Sequence, residues 1–584
     1  MRHRSKGPTM VKFFVRLFAI IGLLAVILVA GGIFLAGKLM PSKPELPGNV
    51  VLTVDLRSGL PDSSANSALT SLVGEESSLR DVVLTLTRAE KDPHVHGLVA
   101  YIDGNALSLP QAQELRDAVH SFRSSGRFAM VASTGLGDLG DGTISYYLAS
   151  AFDLIGVQPL GGVGLTGIAA RQPFARSALE KWKLSAEGEK RGAYKTAPEI
   201  VTESNITPAN REMTEWLVGD MGSQVLAGIA TDRNLPQAKV QSLLDQGPLT
   251  GEAAKAAGLI DRIAYVDEIE DAALERAGKG AELVMIADYH ESAGNGWSSD
   301  APAVALIQGE GNIVGGSAGP GGPFDSELMA ADDISAGIAD AVSSGAKAII
   351  LRLNTGGGSA SASETIRRAI QKAQKAGVKV VVSMADVAAS GGYWVASAAD
   401  RIVAEPATLT GSIGVFSGKI VTDAFWQELG VNWAETRFGA NAGMWGGGSF
   451  TSAEQERLAE VTDVIYHGFI SRVAEARHLT PEAVEAIAEG RVWTGRQAQE
   501  KGLVDVLGGL DTAIDEARRL ADVKGDARLE VFPKPSGIVE EVLAMISNPG
   551  LHAVIKSATS LYLAATESAE SRTVRMEPMG LNGN

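Results

Sequence analysis

Ser390 stands in Asp386-Val387-Ala388-Ala389-Ser390-Gly391-Gly392-Tyr393-Trp394, where an apolar β-branched run gives way to a helical stretch. The small Ala389 and Gly391 leave its hydroxyl accessible, and a helix N-terminus offers free N–H donors to a developing oxyanion. A plain serine N-cap fits the same junction. A serine nucleophile needs a base, and the 8 histidines supply none by pattern. His94 and His96 read as a polar loop pair lacking a third metal ligand; His467 and His478 read as surface or packing residues of helices. Lysine is the other base for serine. A free amine titrates near ~10.4, and burial among apolar groups lowers it towards ~7–8, where it can take a proton. Lys195 lies in Arg191-Gly192-Ala193-Tyr194-Lys195-Thr196-Ala197-Pro198-Glu199, among small and aromatic neighbours that allow such burial. A solvated loop lysine is the ordinary alternative.

Two further segments carry polar groups of interest. Ser412, in Leu409-Thr410-Gly411-Ser412-Ile413-Gly414-Val415, is a second hydroxyl that can orient an amine, or an ordinary turn serine. Asn354-Thr355-Gly356-Gly357-Gly358-Ser359 follows a strand and precedes a helix expected to open on a capping box, Ser361-x-x-Glu364. Its glycine amides can face an oxyanion. It is not a Walker loop, because Gly-Lys-Ser/Thr is missing.

The elements that must position these residues occur twice. Tyr393-Trp394-Val395-Ala396-Ser397-Ala398-Ala399-Asp400 aligns with Tyr146-Tyr147-Leu148-Ala149-Ser150-Ala151-Phe152-Asp153 at an offset of 247, the distance from Asp153 to Asp400. At that offset Pro406 meets Pro159, Gly411 meets Gly164 and Gly414 meets Gly167. Ser390 meets Thr143, Ser412 meets Leu165, and Lys195 meets Ala442. The serine is thus kept in one copy and the lysine in the other, the pattern of one active site divided between two modules. Trp493-Thr494-Gly495 with Gly502-Leu503-Val504-Asp505 repeats Leu249-Thr250-Gly251 with Gly258-Leu259-Ile260-Asp261 at an offset of 244, the distance from Gly251 to Gly495. Gly162-x-Gly164-x-x-Gly167 matches the dinucleotide pattern, but Leu409 stands in the second copy where Gly162 would be, so the pattern is not part of the repeated design.

Apolar runs at 304–308, 348–353, 378–384 and 401–404 alternate with helical stretches at 364–376 and about 391–399, and 97–102 with 110–122 repeats the plan. Strands alternating with helices predict α/β modules with a mostly parallel sheet. We expect a cytoplasmic N-terminus (1–16), a transmembrane helix (17–36), a first module (48–290) that supplies lysine, a second (301–530) that supplies serine, and a C-terminal tail (531–584). The run 17–36 is apolar or small throughout, about the ~20 residues needed to cross a bilayer core. Arg2, Arg4, Lys6, Lys12 and Arg16 precede it, so the positive-inside rule leaves the folded part across the membrane. A net charge of −17 argues against a nucleic-acid partner. The absence of cysteine excludes disulfides, thiol nucleophiles and thiolate metal sites.

The motifs ILRLNTGGGSASASETIR, MADVAASGGYW and ATLTGSIGVF of the second module, with GAYKTAPE of the first, closely resemble the long, duplicated members of the serine–lysine peptidase family S49. The resemblance implies tandem ClpP/crotonase-like modules and a homotetramer anchored in the bacterial inner membrane, with its catalytic part in the periplasm. It implies a serine endopeptidase that degrades cleaved signal peptides and needs no cofactor or metal. By the same resemblance Ser390 is the nucleophile, Lys195 the general base and Ser412 the residue that orients the lysine. Backbone amides at Gly391, Gly356 and Gly357 would hold the oxyanion. The family usually has Pro-Gly-Gly where this chain has Gly356-Gly357-Gly358. A crotonase-type acyl-CoA enzyme would share the fold but have no use for a periplasmic location, and a non-catalytic scaffold would not need both Ser390 and Lys195.

Overall fold

The computed structural model describes residues 46–62, 77–138, 140–293, 301–318, 328–525 and 527–534. In the first module β1 (Asn49–Asp55), α1 (Leu79–Ala89), β2 (Val95–Tyr101), α2 (Leu109–Ser124), β3 (Phe128–Ser133), α3 (Thr143–Ala149) and β4 (Leu154–Val157) alternate along the chain. β5 (Ser185–Arg191), α4 (Glu199–Thr202), α5 (Pro208–Asp232), β6 (Arg262–Ile263) and β7 (Ala281–Met285) follow. All of these strands but β5 form one parallel sheet in the order β6-β4-β3-β2-β1-β7. Val50, Val51, Leu52, Leu98, Val99, Ala129 and Val131 are buried on both faces of it. Helix cover on both faces is why these strands read as continuous apolar runs rather than alternating ones.

The second module repeats the plan. It contains β8 (Ala303–Glu310), β9 (Ala348–Thr355), α6 (Ala360–Lys375), β10 (Lys379–Ala389), α7 (Gly391–Ala396), β11 (Arg401–Ala404) and β12 (Leu409–Gly411). After these come β13 (Val415–Val421), α8 (Ser452–Arg477), β14 (Val492–Thr494), β15 (Val506–Leu507) and β16 (Arg528–Phe532). The sheet runs β14-β12-β10-β9-β8-β16, with β11 between β10 and β15. β10 is long enough to pair with β11 through its first half and with β12 through its second. That change of partner lies just before Ser390, which follows the last residue of β10.

The duplication extends to single hydrogen bonds. Fully buried Tyr146 and Tyr393 each donate their hydroxyl to a leucine carbonyl, Leu259 at 2.7 Å and Leu503 at 2.9 Å. Asp153 and Asp400 each accept an amide at 2.9 Å, from Ala129 and Val380. Asp261 and Asp505 do the same at 2.8 Å, for Ile155 and Ile402.

One expected detail is corrected. The N-cap of α6 is Ser359, whose hydroxyl accepts from the Ala362 amide at 3.3 Å, so the capping box at Ser361 and Glu364 does not form. Glu364 instead accepts from Trp394 at 2.8 Å and Arg472 at 2.7 Å. A nearby guanidinium and indole outcompete a local backbone amide for the carboxylate. The predicted transmembrane run lies outside the described residues; among the described residues no helix is long and apolar enough to cross a membrane.

Two features join the modules. β5 leaves the first module and pairs antiparallel with β13 of the second, from Arg191 opposite Val415 to Ser185 opposite Val421. Deeper in, the Arg352 guanidinium of β9 binds Asp62 at 2.7 Å and Glu114 of α2 at 2.7 Å, and donates to Ser383 at 3.0 Å, all buried. Removing one partner of such a buried group typically costs ~3–5 kcal/mol, because a charge is left unpaired away from water. The modules therefore meet through a specific contact rather than a loose linker.

Candidate active site

Ser390 follows the last residue of β10 with φ 54° and ψ −118°. A non-glycine residue in such backbone geometry costs of order 1–3 kcal/mol and persists only where its surroundings impose it. Here the Ser390 amide donates to Gly411 O at 2.9 Å, and its carbonyl accepts from the Trp394 amide at 2.9 Å. Ser390 occupies the N-cap position of α7, yet its side chain makes no capping bond. The sharp turn swings the hydroxyl away from the helix and towards Lys195.

Lys195 lies in the loop between β5 and α4 and is only 4% exposed. Its Nζ sits 2.9 Å from Ser390 Oγ and 3.0 Å from Ser412 Oγ, and donates to the Ser412 carbonyl at 3.2 Å. Burial brings the amine down from 10.5 to about 8. A nearby carboxylate would oppose that shift by favouring the charged form. Glu199, four residues on, instead binds Lys190 at 3.3 Å, Thr207 at 2.9 Å and Asn210 at 3.0 Å. Among the described residues no carboxylate pairs with Lys195. The sequence alternatives of an N-cap serine and a solvated lysine thus do not describe the side chains found here.

Ser412 also has a positive φ, of 50°. Its amide donates to Arg491 O at 2.8 Å, and Gly490 N donates to Ile413 O at 2.8 Å. On the other side of the same short segment, Tyr194 N donates to Glu489 O at 2.8 Å. Residues 489–491 therefore lie between the lysine loop and the Ser412 turn and bond to both. A Cβ on Gly490, whose φ is +76°, would stand 2.6 Å from the Lys195 backbone nitrogen. Only glycine allows that approach. Local sequence reading missed this segment, although Gly490 and Arg491 stand one residue, Val492, before the repeated Trp493-Thr494-Gly495 motif.

The glycine loop meets Ser390 from the β9 side. Gly357 has φ +106°, and a Cβ there would lie 2.8 Å from Ser390 Cβ and 2.6 Å from the Gly391 amide nitrogen. The Gly357 amide is taken by Thr355 Oγ1 at 3.1 Å. The loop amide beside Gly391 belongs to Gly358, since a Cβ on Gly391 would stand 3.1 Å from Gly358 N. Gly356 has no positive φ and open space at its Cβ position, so the family's usual proline meets no steric bar from neighbours there.

The corresponding place in the first module is closed. Thr143 Oγ1 accepts from the amides of Thr166 at 3.1 Å and Gly167 at 2.9 Å. Gly164 N donates to Leu136 O at 2.7 Å, and a Cβ on Gly164 would be 2.4 Å from Gly140 O. The three glycines Gly162, Gly164 and Gly167 thus serve close backbone packing, each with its amide already bonded, rather than a phosphate cradle. His94 bonds Asp92 at 3.0 Å and His96 faces Asn49 at 3.1 Å. His467 lies within α8, and His478 ends it with a left-handed backbone. Among the described residues no cluster of metal-ligating side chains occurs.

The model of Peptidase family S49 matches residues 138–280 and 372–524, one region in each module. Protease 4 of Salmonella typhi is 30% identical over 517 residues, covering 86% of this chain and 81% of that protein. The chloroplastic serine protease SPPA of Arabidopsis thaliana is 29% identical, covering 89% of this chain and 77% of that one. A solved structure of the 1510-N membrane-bound stomatin-specific protease is 17% identical, covers 40% of this chain and 99% of that one, and superposes with a TM-score of 0.26. With the family matched in both halves and similarity running through most of its length, the chain belongs to peptidase family S49, as a serine protease that carries the family's domain twice.

Proposed function

We propose that this protein is an endopeptidase whose nucleophile, Ser390, and general base, Lys195, come from different modules. The observation that carries this reading is the buried amine 2.9 Å from a hydroxyl that caps nothing. A neutral amine has two N–H groups and one lone pair. The two N–H groups fit the Ser412 carbonyl and hydroxyl, which leaves the lone pair for the Ser390 proton. Lys195 takes that proton as Ser390 Oγ attacks a peptide carbonyl. The ammonium then gives it to the leaving amine, and an acyl-enzyme forms. In the second half-reaction the neutral Lys195 removes a proton from water, which attacks the ester, and the proton returns to Ser390. Ser412 fixes the direction of the amine. The oxyanion is held by the amides of Gly391 and of the 356–358 glycine loop, where Gly358 N lies beside Gly391 while the Gly357 amide is bonded to Thr355.

We assign as substrates cleaved signal peptides left in the bacterial inner membrane, in line with the apolar run at 17–36 and its preceding cations. That run anchors the chain once, with the catalytic part in the periplasm. The assembly implied by the family resemblance is a homotetramer, and the chemistry written above calls for no cofactor. Purified full-length protein should cleave a synthetic signal peptide in detergent micelles, read by mass spectrometry of the fragments. Ser390→Ala should fold with an unchanged circular dichroism spectrum and lose at least 10³-fold in rate, the usual order for a lost nucleophile. Cleavage by a clean Ser390→Ala preparation would exclude that residue as nucleophile.

A further inference from the structure

The Lys195 loop belongs to the first module, yet much of what holds it belongs to one residue of the second. The Arg491 guanidinium stacks over Tyr194 at 4.5 Å, Trp493 at 4.8 Å and Trp216 at 5.6 Å from their ring centroids. It also donates to Glu212 of α5 at 2.8 Å, and Glu212 accepts the Tyr194 hydroxyl at 3.0 Å. Tyr194 is the residue before Lys195. The Arg491 carbonyl meanwhile accepts from the Ser412 amide at 2.8 Å. One residue therefore clamps the lysine loop through its side chain and the lysine's hydroxyl partner through its backbone.

The duplication supplies a second observation. At the offset of 244 that relates the two closing motifs, Arg491 corresponds to Gly247. A Cβ on Gly247 would stand 1.9 Å from the carbonyl of Leu165, the counterpart of Ser412. The two copies thus share this backbone crossing. The arginine is present only in the copy that meets the lysine loop.

We infer that Arg491 is a positioning residue for Lys195, closing the lysine loop against the serine module so that water stays out. The inference rests on reading Lys195 as the base. Its side chain touches neither Ser390 nor the amine, so it acts through Tyr194 and Glu212. Arg496 is a matched comparison, because it also joins the modules through an ion pair with α5, at Asp220, but has no contact with the lysine loop among those described.

The test is the pH–rate profile of peptide cleavage by the full-length enzyme. Loosening the loop rehydrates the amine and raises the pH at which it becomes neutral. An upward move of one unit from about 8 removes about tenfold of the neutral base at pH 7 and less than about twofold at pH 9.5. Arg491→Ala should show that pattern. Arg491→Lys, which keeps a cation against the rings, should recover part of it. Glu212→Gln, at an exposed position, should shift the acid limb the same way by less, and it decides the matter if Arg491→Ala does not fold. Arg496→Ala should leave the limb where it is. A limb at the wild-type position in both Arg491→Ala and Glu212→Gln would overturn the inference, as would an equal shift in Arg496→Ala. Lys195→Met separates the two readings. If it stays active, the base assignment itself has failed; if it is inactive while the Arg491 and Glu212 variants are unshifted, only the positioning role has.

Discussion

A lysine can act as a base only while it is neutral, and burial moves the Lys195 amine towards that condition by bringing it to about 8. The sign follows directly. Protonated amine is inactive, so kcat/KM should rise with pH through about 8 and level off above about 9, on the ordinary titration curve. Lys195→Met should lose the activity at every pH, whereas Lys190→Met should keep it within about threefold, since Lys190 only pairs with Glu199 at a partly exposed site. A limb near the free-amine value in the wild-type profile would mean that the amine is solvated in solution. The residue types at this site were legible from the chain because Ser390 and Lys195 each lack a counterpart in the other copy. The distance between them was not, since 195 residues separate them and no local pattern encodes such a contact.

At the level of elements, the glycine loop at 356–358 and the serine turn depend on two backbones approaching without side chains. Gly356 and Gly357 are neighbours in sequence and opposite in demand. Gly356→Ala should keep activity within about twofold, because its Cβ meets open space and its φ is not positive. Gly357→Ala should lose at least ~100-fold in kcat, the order seen when an oxyanion donor is displaced, because the new Cβ would collide with Ser390 Cβ and Gly391 N. Steady-state kinetics on both variants checks this. Equal activity would mean that the loop does not bear on Ser390. Strands and helices of the parallel sheets were readable because their buried faces make continuous apolar runs. The β5–β13 ribbon was not. Ser185-Ala186-Glu187-Gly188-Glu189-Lys190-Arg191 is mostly polar and partly exposed, so its strand character comes from pairing with a distant segment rather than from its own pattern. The α6 cap was misplaced for a related reason, since the partner that draws Glu364 away is Arg472, 108 residues further on.

Over the whole molecule, duplication has left one module with a closed serine-equivalent site and given it a lysine loop that reaches into its neighbour. The first copy fills its site with Thr143 and its own amides. The second copy holds the serine, and Lys195 of the first reaches it across the junction from the end of the ribbon, beside residues 489–491. The two-module plan, with the serine in one copy and the lysine in the other, was legible from the offset of 247. The means of holding the halves in register were not, because Arg352 with Asp62 and Glu114 and Arg491 with Glu212 are pairings that only the folded chain creates. The central claim, that Lys195 of one module activates Ser390 of the other, is tested most directly by covalent labelling. A serine-reactive phosphonate applied to the full-length protein, followed by peptide mapping, should place a single adduct on Ser390, and Lys195→Met with an unchanged melting temperature should slow that labelling at least ~100-fold, within the range for a lost general base. Labelling of Ser390 at the wild-type rate in Lys195→Met, or an adduct on a different serine, would contradict the account.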